Sequence, residues 1–289
     1  MEVLVIGDLA IDFFVRVDGA VAPGSNILVD VGDSRVAGVA GNISWYLAQL
    51  GAKAGVAGCV GRDSWGRQII RELEGSGVDA TCVTFSKKAT GFFVVLVDAK
   101  GDRAFIGSRG ANADLRISRR RMLGTGARWI HLSGYSLLGA TGVKDEARRA
   151  AGSAGVPLSV DLEGVCSTGA RLDLSGCFVF CNRREFEEYY GGPRGLSGER
   201  AVVVKSGEEG CVIYRGEGRT RVATLPQQAV DTTAAGDAFN AGLISSMLRG
   251  RGLLRSCRWA NAVAGAKVLR TGARARLDLE EVRSLYAKM

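Results

Sequence analysis

Asp231-Thr-Thr-Ala-Ala-Gly-Asp237-Ala-Phe-Asn-Ala-Gly242 sets an aspartate behind a run of small residues. The residues before it, Gln228-Ala229-Val230, read as extended chain; residues 238–248 are mostly good helix formers without proline. The spacing therefore predicts a turn that opens a helix, with the N–H groups of Ala234, Ala235 and Gly236 turned outward and unpaired. Such a helix end is partly positive and binds anions, a phosphate above all. A carboxylate there has a chemical use if it moves a proton. Asp237 would accept the proton of a substrate hydroxyl while the amides hold the phosphoryl group under attack. The plainer alternative is a capping aspartate. Ala234 offers the same N–H as glycine, but its Cβ disfavours a positive φ.

Further polar groups stand at other predicted element ends. Gly7-Asp8-Leu-Ala-Ile-Asp12 follows the first strand, and Asp12 could accept hydrogen bonds from two adjacent sugar hydroxyls or serve as a turn residue. Ala37-Gly38-Val39-Ala40-Gly41-Asn42 leads into a helix over 43–50; its glycines admit a ligand to the backbone, and Asn42 both donates and accepts. Lys205-Ser-Gly207-Glu-Glu-Gly210 follows a strand, yet GxxxxGK[ST] is absent, so it is not a Walker A loop. Arg109 would meet a carboxylate or phosphate on the substrate, or else stay solvated. His131, the one histidine, is expected to pack rather than catalyse.

Short apolar runs are expected to position these groups. Strands are predicted at 3–6, 54–59, 129–132, 157–160, 178–181, 202–205 and 212–214. Helices are predicted at 43–50, 64–75, 145–154, 185–190, 237–248 and 259–269. Their alternation argues an α/β fold, a mostly parallel central sheet flanked by helices, with ligands beyond the C-terminal strand ends. Residues 13–36 and 81–106 break the rhythm with alternating patterns and turn signals at 22–25 and 98–102. They read as inserted hairpins forming a small β-sheet lid on a single domain spanning 1–289. The lid's strand edges also suit a homodimer.

The net charge of +8 includes the run Arg119-Arg-Arg121 and the set Arg249, Arg251, Arg255 and Arg258; the second set has mixed helical spacing without interleaved stacking aromatics, which favours a basic enzyme surface over nucleic-acid binding. No 20-residue apolar run predicts a membrane span, and the chain opens on a strand without a basic leader, so a cytoplasmic location is expected. Seven cysteines without a CxxC pair read as reduced, buried thiols.

The Asp231–Asp237 string resembles the DTxGAGD signature of the ribokinase-like (PfkB) carbohydrate kinase family, with Ala234 in place of the first glycine of GAGD. GDLAID is similar to the family's GxxxxD, AGVAGN to its GGxxxN, and Cys59-Val-Gly-Arg-Asp-Ser-Trp-Gly66 to its VGxDxxG. Gly110-Ala-Asn-Ala113 and Asn182-Arg-Arg-Glu185 match further pieces, so the resemblance covers nearly the whole chain. It implies MgATP-dependent phosphorylation of a primary alcohol on a sugar. Asp12, Gly38 and Asn42 would contact that substrate. Asn182 and Glu185 would organise phosphates and Mg²⁺ through water. Gly207, Gly210 and Lys205 would border the nucleotide, with Asn261 near its adenine. Thr271-Gly272-Ala273, with Asp231 and Thr233, would hold a monovalent cation such as K⁺. Ala37, Val39 and the missing arginine after Asp161-Leu-Glu163 point away from ribose itself. A nucleoside kinase is the alternative on the same fold. A non-catalytic binding protein is the other; the retained Gly236-Asp237 pair, Asn182 and Glu185 argue against it.

Overall fold

The computed structural model describes residues 1–17, 26, 31–97, 103–137, 142–166 and 169–289. In chain order the strands are β1 (Val3–Ile6), β2 (Ala10–Arg16), β3 (Val31–Ala37), β4 (Ala54–Ala57), β5 (Cys59–Gly61), β6 (Thr84–Ser86), β7 (Gly91–Val97) and β8 (Arg103–Ser108). They continue with β9 (Trp129–Leu132), β10 (Leu158–Asp161), β11 (Phe178–Asn182), β12 (Ala201–Lys205), β13 (Cys211–Arg215) and β14 (Gly218–Val222). The helices are α1 (Val39–Gln49), α2 (Ser64–Gly75), α3 (Arg119–Gly124), α4 (Val143–Ala154), α5 (Arg183–Tyr190), α6 (Ala235–Leu248), α7 (Leu253–Val268) and α8 (Leu279–Lys288).

Eight strands form one sheet in the order β14-β13-β12-β11-β10-β9-β1-β4. It is parallel from β4 through β12, and β13 and β14 close the far edge antiparallel. The parallel strands are buried on both faces, which is why they are mostly apolar, whereas β14 at the edge is largely exposed. Alternation divides them: Val3, Val5, Phe178 and Phe180 join one core with α1, α6 and α7. Leu4, Ile6, Val179 and Cys181 join the other with α4 and α5. Parallel pairing sends the ends of β1, β10, β11 and β12 to the same edge, and the polar site residues collect there.

A second sheet runs β3-β2-β7-β8. Each hairpin is antiparallel, and β2 joins β7 in parallel. Phe13 stands edge-on to Trp65 and Phe92, tying this sheet to α2. The expected 81–106 unit is only partly of this sheet: β6 pairs with β5 in a separate two-stranded ladder, so the contribution begins at Gly91. The turn signals at 22–25 and 98–102 lie outside the described residues. All seven cysteines are free, and six are buried. Among the described residues no helix is long and apolar enough to cross a membrane.

Candidate active site

The turn before α6 is held from several sides. Asp231 Oδ1 accepts from the Thr233 N–H at 2.9 Å and its Oγ1 at 2.6 Å, and Oδ2 accepts from the Gly272 N–H at 2.8 Å. The Lys267 ammonium donates to the Asp231 carbonyl at 2.7 Å. Ala234 then adopts φ 57° and ψ 19°, the one positive φ outside glycine among the described residues. That conformation costs an L-residue about 1–2 kcal/mol. One expectation needs correcting: the Ala235 N–H is not open but bonds the Thr232 carbonyl at 3.1 Å. Among the described residues the N–H groups of Ala234, Gly236 and Asp237 have no hydrogen-bond partner, as the first turn of a helix dictates.

Asp237 stands in this first turn with 8 % of its surface exposed. Its Oδ2 accepts from Asn42 Nδ2 at 2.9 Å. Asn42 Oδ1 in turn accepts from Arg274 Nε at 3.1 Å, which fixes the amide so that its NH₂ faces the carboxylate. Asn42 sits in the first turn of α1 because Gly38 caps that helix at φ 88°, where a Cβ would lie 2.4 Å from the Asp8 carbonyl. Gly38 is thus required by the packing of the backbone, and Asn42 attends the carboxylate. Burial raises the Asp237 carboxyl to about 7, opposed by the Asn42 hydrogen bond and the Lys205 charge. Asp12 is raised to about 6 by burial, with Arg274 opposing. Burial lowers Arg274 itself to about 10. Arg274 is the site residue that the sequence reading missed, although it directly follows the noted Thr271-Gly-Ala273. Tyr46 Oη holds that loop through the Ala273 carbonyl at 2.8 Å.

A second polar group lies at the ends of β10 and β12. Lys205 Nζ pairs with Asp161 at 2.8 Å and reaches Asn240 Oδ1 at 3.4 Å. Burial opposes the charge on Asp161, but Lys205 outweighs it and keeps that carboxyl below its usual range. Burial, then Asp237 and Asp161, push Glu163 well above its ordinary value, and burial with Asp161 raises Glu185. Asn182 and Glu185 form a capping box on α5: Asn182 Oδ1 accepts the Glu185 N–H at 2.9 Å and Glu185 Oε2 accepts the Asn182 N–H at 2.8 Å. Each motif residue therefore has a structural task, and Glu185 spends one carboxylate oxygen on it. Among the described residues no three His, Cys, Asp or Glu side chains converge as a preformed metal site. The hard oxygens of Glu163 and Glu185 suit Mg²⁺, which keeps most of its waters and binds through one or two carboxylates plus phosphates.

Beside this cluster opens a cavity of ≈ 400 Å³, lined by Lys205, Gly207, Gly210, Gly236, Phe239 and Asn261 among others. That size is within the range of small-molecule sites. Gly210, at φ 89°, tolerates no side chain, since a Cβ would lie 2.1 Å from the Val222 carbonyl. Asn261 Nδ2 donates to the Val222 and Ala223 carbonyls at 3.1 and 3.2 Å, fixing the wall formed by the end of β14. The cavity therefore runs directly to the α6 N-terminus.

Arg109 departs from its expected part. Its Nε and Nη2 grip the buried Asp8 carboxylate at 3.0 and 2.9 Å, a bidentate pair that engages one edge of the guanidinium. Asp63 caps α2 through the Gly66 N–H and binds the Thr90 N–H and hydroxyl, so the VGRDSWG segment is a structural clamp. Asn112 bonds both backbone groups of Leu9. His131 is buried against Phe180 and burial lowers it to about 4, a packed role as expected.

The model of the pfkB family carbohydrate kinases matches residues 1–279. An uncharacterized sugar kinase of Archaeoglobus fulgidus is 29 % identical, over 79 % of this chain and 96 % of that one. An ATP-dependent ribose-1-phosphate kinase of Halopiger xanaduensis is 32 % identical, over 82 % and 81 % respectively. The structure of Arabidopsis thaliana ribokinase complexed with ribose and ATP superposes with a TM-score of 0.85 at 24 % identity, over 99 % of this chain and 98 % of that one, so it speaks to the fold. With an aspartate at a helix N-terminus, a neighbouring cavity and a family match along nearly its full length, the chain belongs to the PfkB family of carbohydrate kinases.

Proposed function

We propose that the protein transfers the γ-phosphoryl group of MgATP to a hydroxymethyl group of a sugar or sugar derivative, with Asp237 as base. The observation that carries this reading is the placement of Asp237: buried, raised to about 7, and beside unpartnered helix N–H groups at the mouth of a cavity. A base near 7 is matched to removing a hydroxyl proton at neutral pH. Adenosine would occupy the cavity of Gly207, Gly210 and Asn261, bringing the phosphates to the Gly236 and Asp237 amides. Asp12, whose charge acts on Arg274 as that of Asp237 does, would take the acceptor's secondary hydroxyls. Asp237 would accept the acceptor's proton as its oxygen attacks the γ-phosphorus, and the amides would stabilise the equatorial charge. Lys205, though paired with Asp161, stands close to Gly236 and adds a fixed positive charge. Glu163 and Glu185 would hold Mg²⁺ through its waters, and the ion would supply neutralisation of the β- and γ-phosphate charge.

The β3-β2-β7-β8 sheet carries Asp12 and would act as the lid that excludes water. Phe105 and Ile106, exposed on β8, support pairing of two copies through it. An acceptor that already carries an anionic group is in keeping with the charge of Arg274, which acts on Asp12, and with the likeness to the ribose-1-phosphate kinase. Phosphorus NMR of reactions with sugars, sugar phosphates and nucleosides tests both readings. A new phosphomonoester on a CH₂–O carbon is expected; release of inorganic phosphate alone from every mixture would refute transfer.

A further inference from the structure

Lys267 carries a role that neither the motifs nor the family likeness assigns. It lies in the last turn of α7 and has none of its surface exposed. A lysine is almost never buried so completely unless its charge is met. Its ammonium is 2.7 Å from the carbonyl oxygen of Asp231, in the turn where the resemblance places a monovalent cation. The donors that such an ion would use are engaged. Both Asp231 carboxylate oxygens accept from Thr233 and Gly272, and Thr233 Oγ1 is turned into one of them as a donor. The Asp231 carbonyl accepts from Lys267. K⁺ needs several free oxygens at once, and placing it here would set a second positive charge against a buried ammonium. The residues present do not fit the ion.

We propose that Lys267 replaces the monovalent cation: its ammonium is the internal charge that locks the Asp231–Ala234 turn, so the protein works without K⁺. The backbone connection supports this. The N–H groups of Val230 and Asp231 both bond the carbonyl of Val268, so the end of α7 is tied by backbone hydrogen bonds to the same turn that the ammonium holds. The same turn holds Ala234 in its left-handed conformation and thereby aims the first amides of α6. Lys267 is thus a positioning residue for the anion site.

The test compares the intact protein in KCl with the same protein in tetramethylammonium chloride of equal ionic strength, reading melting temperature and phosphoryl transfer. The intact protein should melt at the same temperature and turn over at the same rate in both salts. Lys267→Ala should melt lower and lose activity in tetramethylammonium, and KCl should restore part of both by filling the vacated charge position. A melting temperature of the intact protein that rises with KCl overturns the proposal, as does a Lys267→Ala protein that behaves like the intact one in both salts. If neither Lys267→Ala nor Lys267→Met folds, the salt response of the intact protein still decides. The activity arm rests on the kinase reading; the melting arm does not, so failure of one is distinguishable from failure of the other.

Discussion

Replacing Asp237 by asparagine should slow phosphoryl transfer and stabilise the fold, and the two effects have one cause. In the native protein burial raises the carboxyl from 3.8 to about 7. The folded chain therefore holds a proton that the unfolded chain has released, across the interval from about pH 4 to about pH 7. A raised native value means that the favourable contribution is complete below the unfolded value and is lost as pH rises through the native one. Each pH unit in that interval removes about 1.4 kcal/mol. The asparagine side chain of the variant has the size and hydrogen-bonding reach of the acid and no such ionisation. The stability of Asp237→Asn relative to the parent should thus improve by about 2–3 kcal/mol between about pH 5 and about pH 7, then level off. Urea titrations at three or four pH values measure it, because the midpoint at constant slope reports stability directly. Activity should fall by about 10²–10⁴-fold in the same variant. A stability difference that does not change with pH would refute the buried, proton-holding carboxylate.

The same ionisation should set the rate: kcat/KM falls about tenfold per pH unit below about pH 7, and Asn42→Ala, which removes the donor favouring the carboxylate, shifts that limb upward. A limb that stays in place would disconnect Asn42 from the base. Arg109→Ala should lose about 2–4 kcal/mol of stability, because it leaves the Asp8 carboxylate buried without its guanidinium. An unchanged melting temperature with a raised KM would return Arg109 to the substrate. Ala234→Gly removes the left-handed strain but frees the unfolded chain, a net gain of at most about 1 kcal/mol, whereas Ala234→Val should destabilise by more than about 1 kcal/mol. Equal stability of the two variants in a thermal melt would contradict the φ of this residue.

The strands β1, β9, β11 and β12 were legible because burial on both faces writes them as short, mostly apolar runs. β14 was not: four of the five residues in Gly218-Arg-Thr-Arg-Val222 are exposed, so no pattern marks it. α8 carries a readable signal in Asp278 and the spacing of Val282 and Tyr286, and it lies outside the elements predicted. Within the site, Asp237 and its helix end were legible because local spacing makes them. Arg274 and Asn42 meet across 232 residues and Arg109 and Asp8 across 101, and nothing in local sequence couples such pairs. The Asn182–Glu185 spacing is informative twice over, since N-x-x-E is also the pattern of a helix cap. Ala234 shows the converse. Its departure from glycine was plain in the sequence, and only the backbone reveals that a positive φ is required there.

The central claim is that Asp237 serves a transferable phosphoryl group. The most direct measurement is ADP release from MgATP across sugars, sugar acids, sugar phosphates, polyols and nucleosides, with Asp237→Asn run in parallel. At least one acceptor should stimulate release by the parent protein and leave the Asn variant at background. An acceptor-stimulated rate that survives in Asp237→Asn would contradict the assignment of the base.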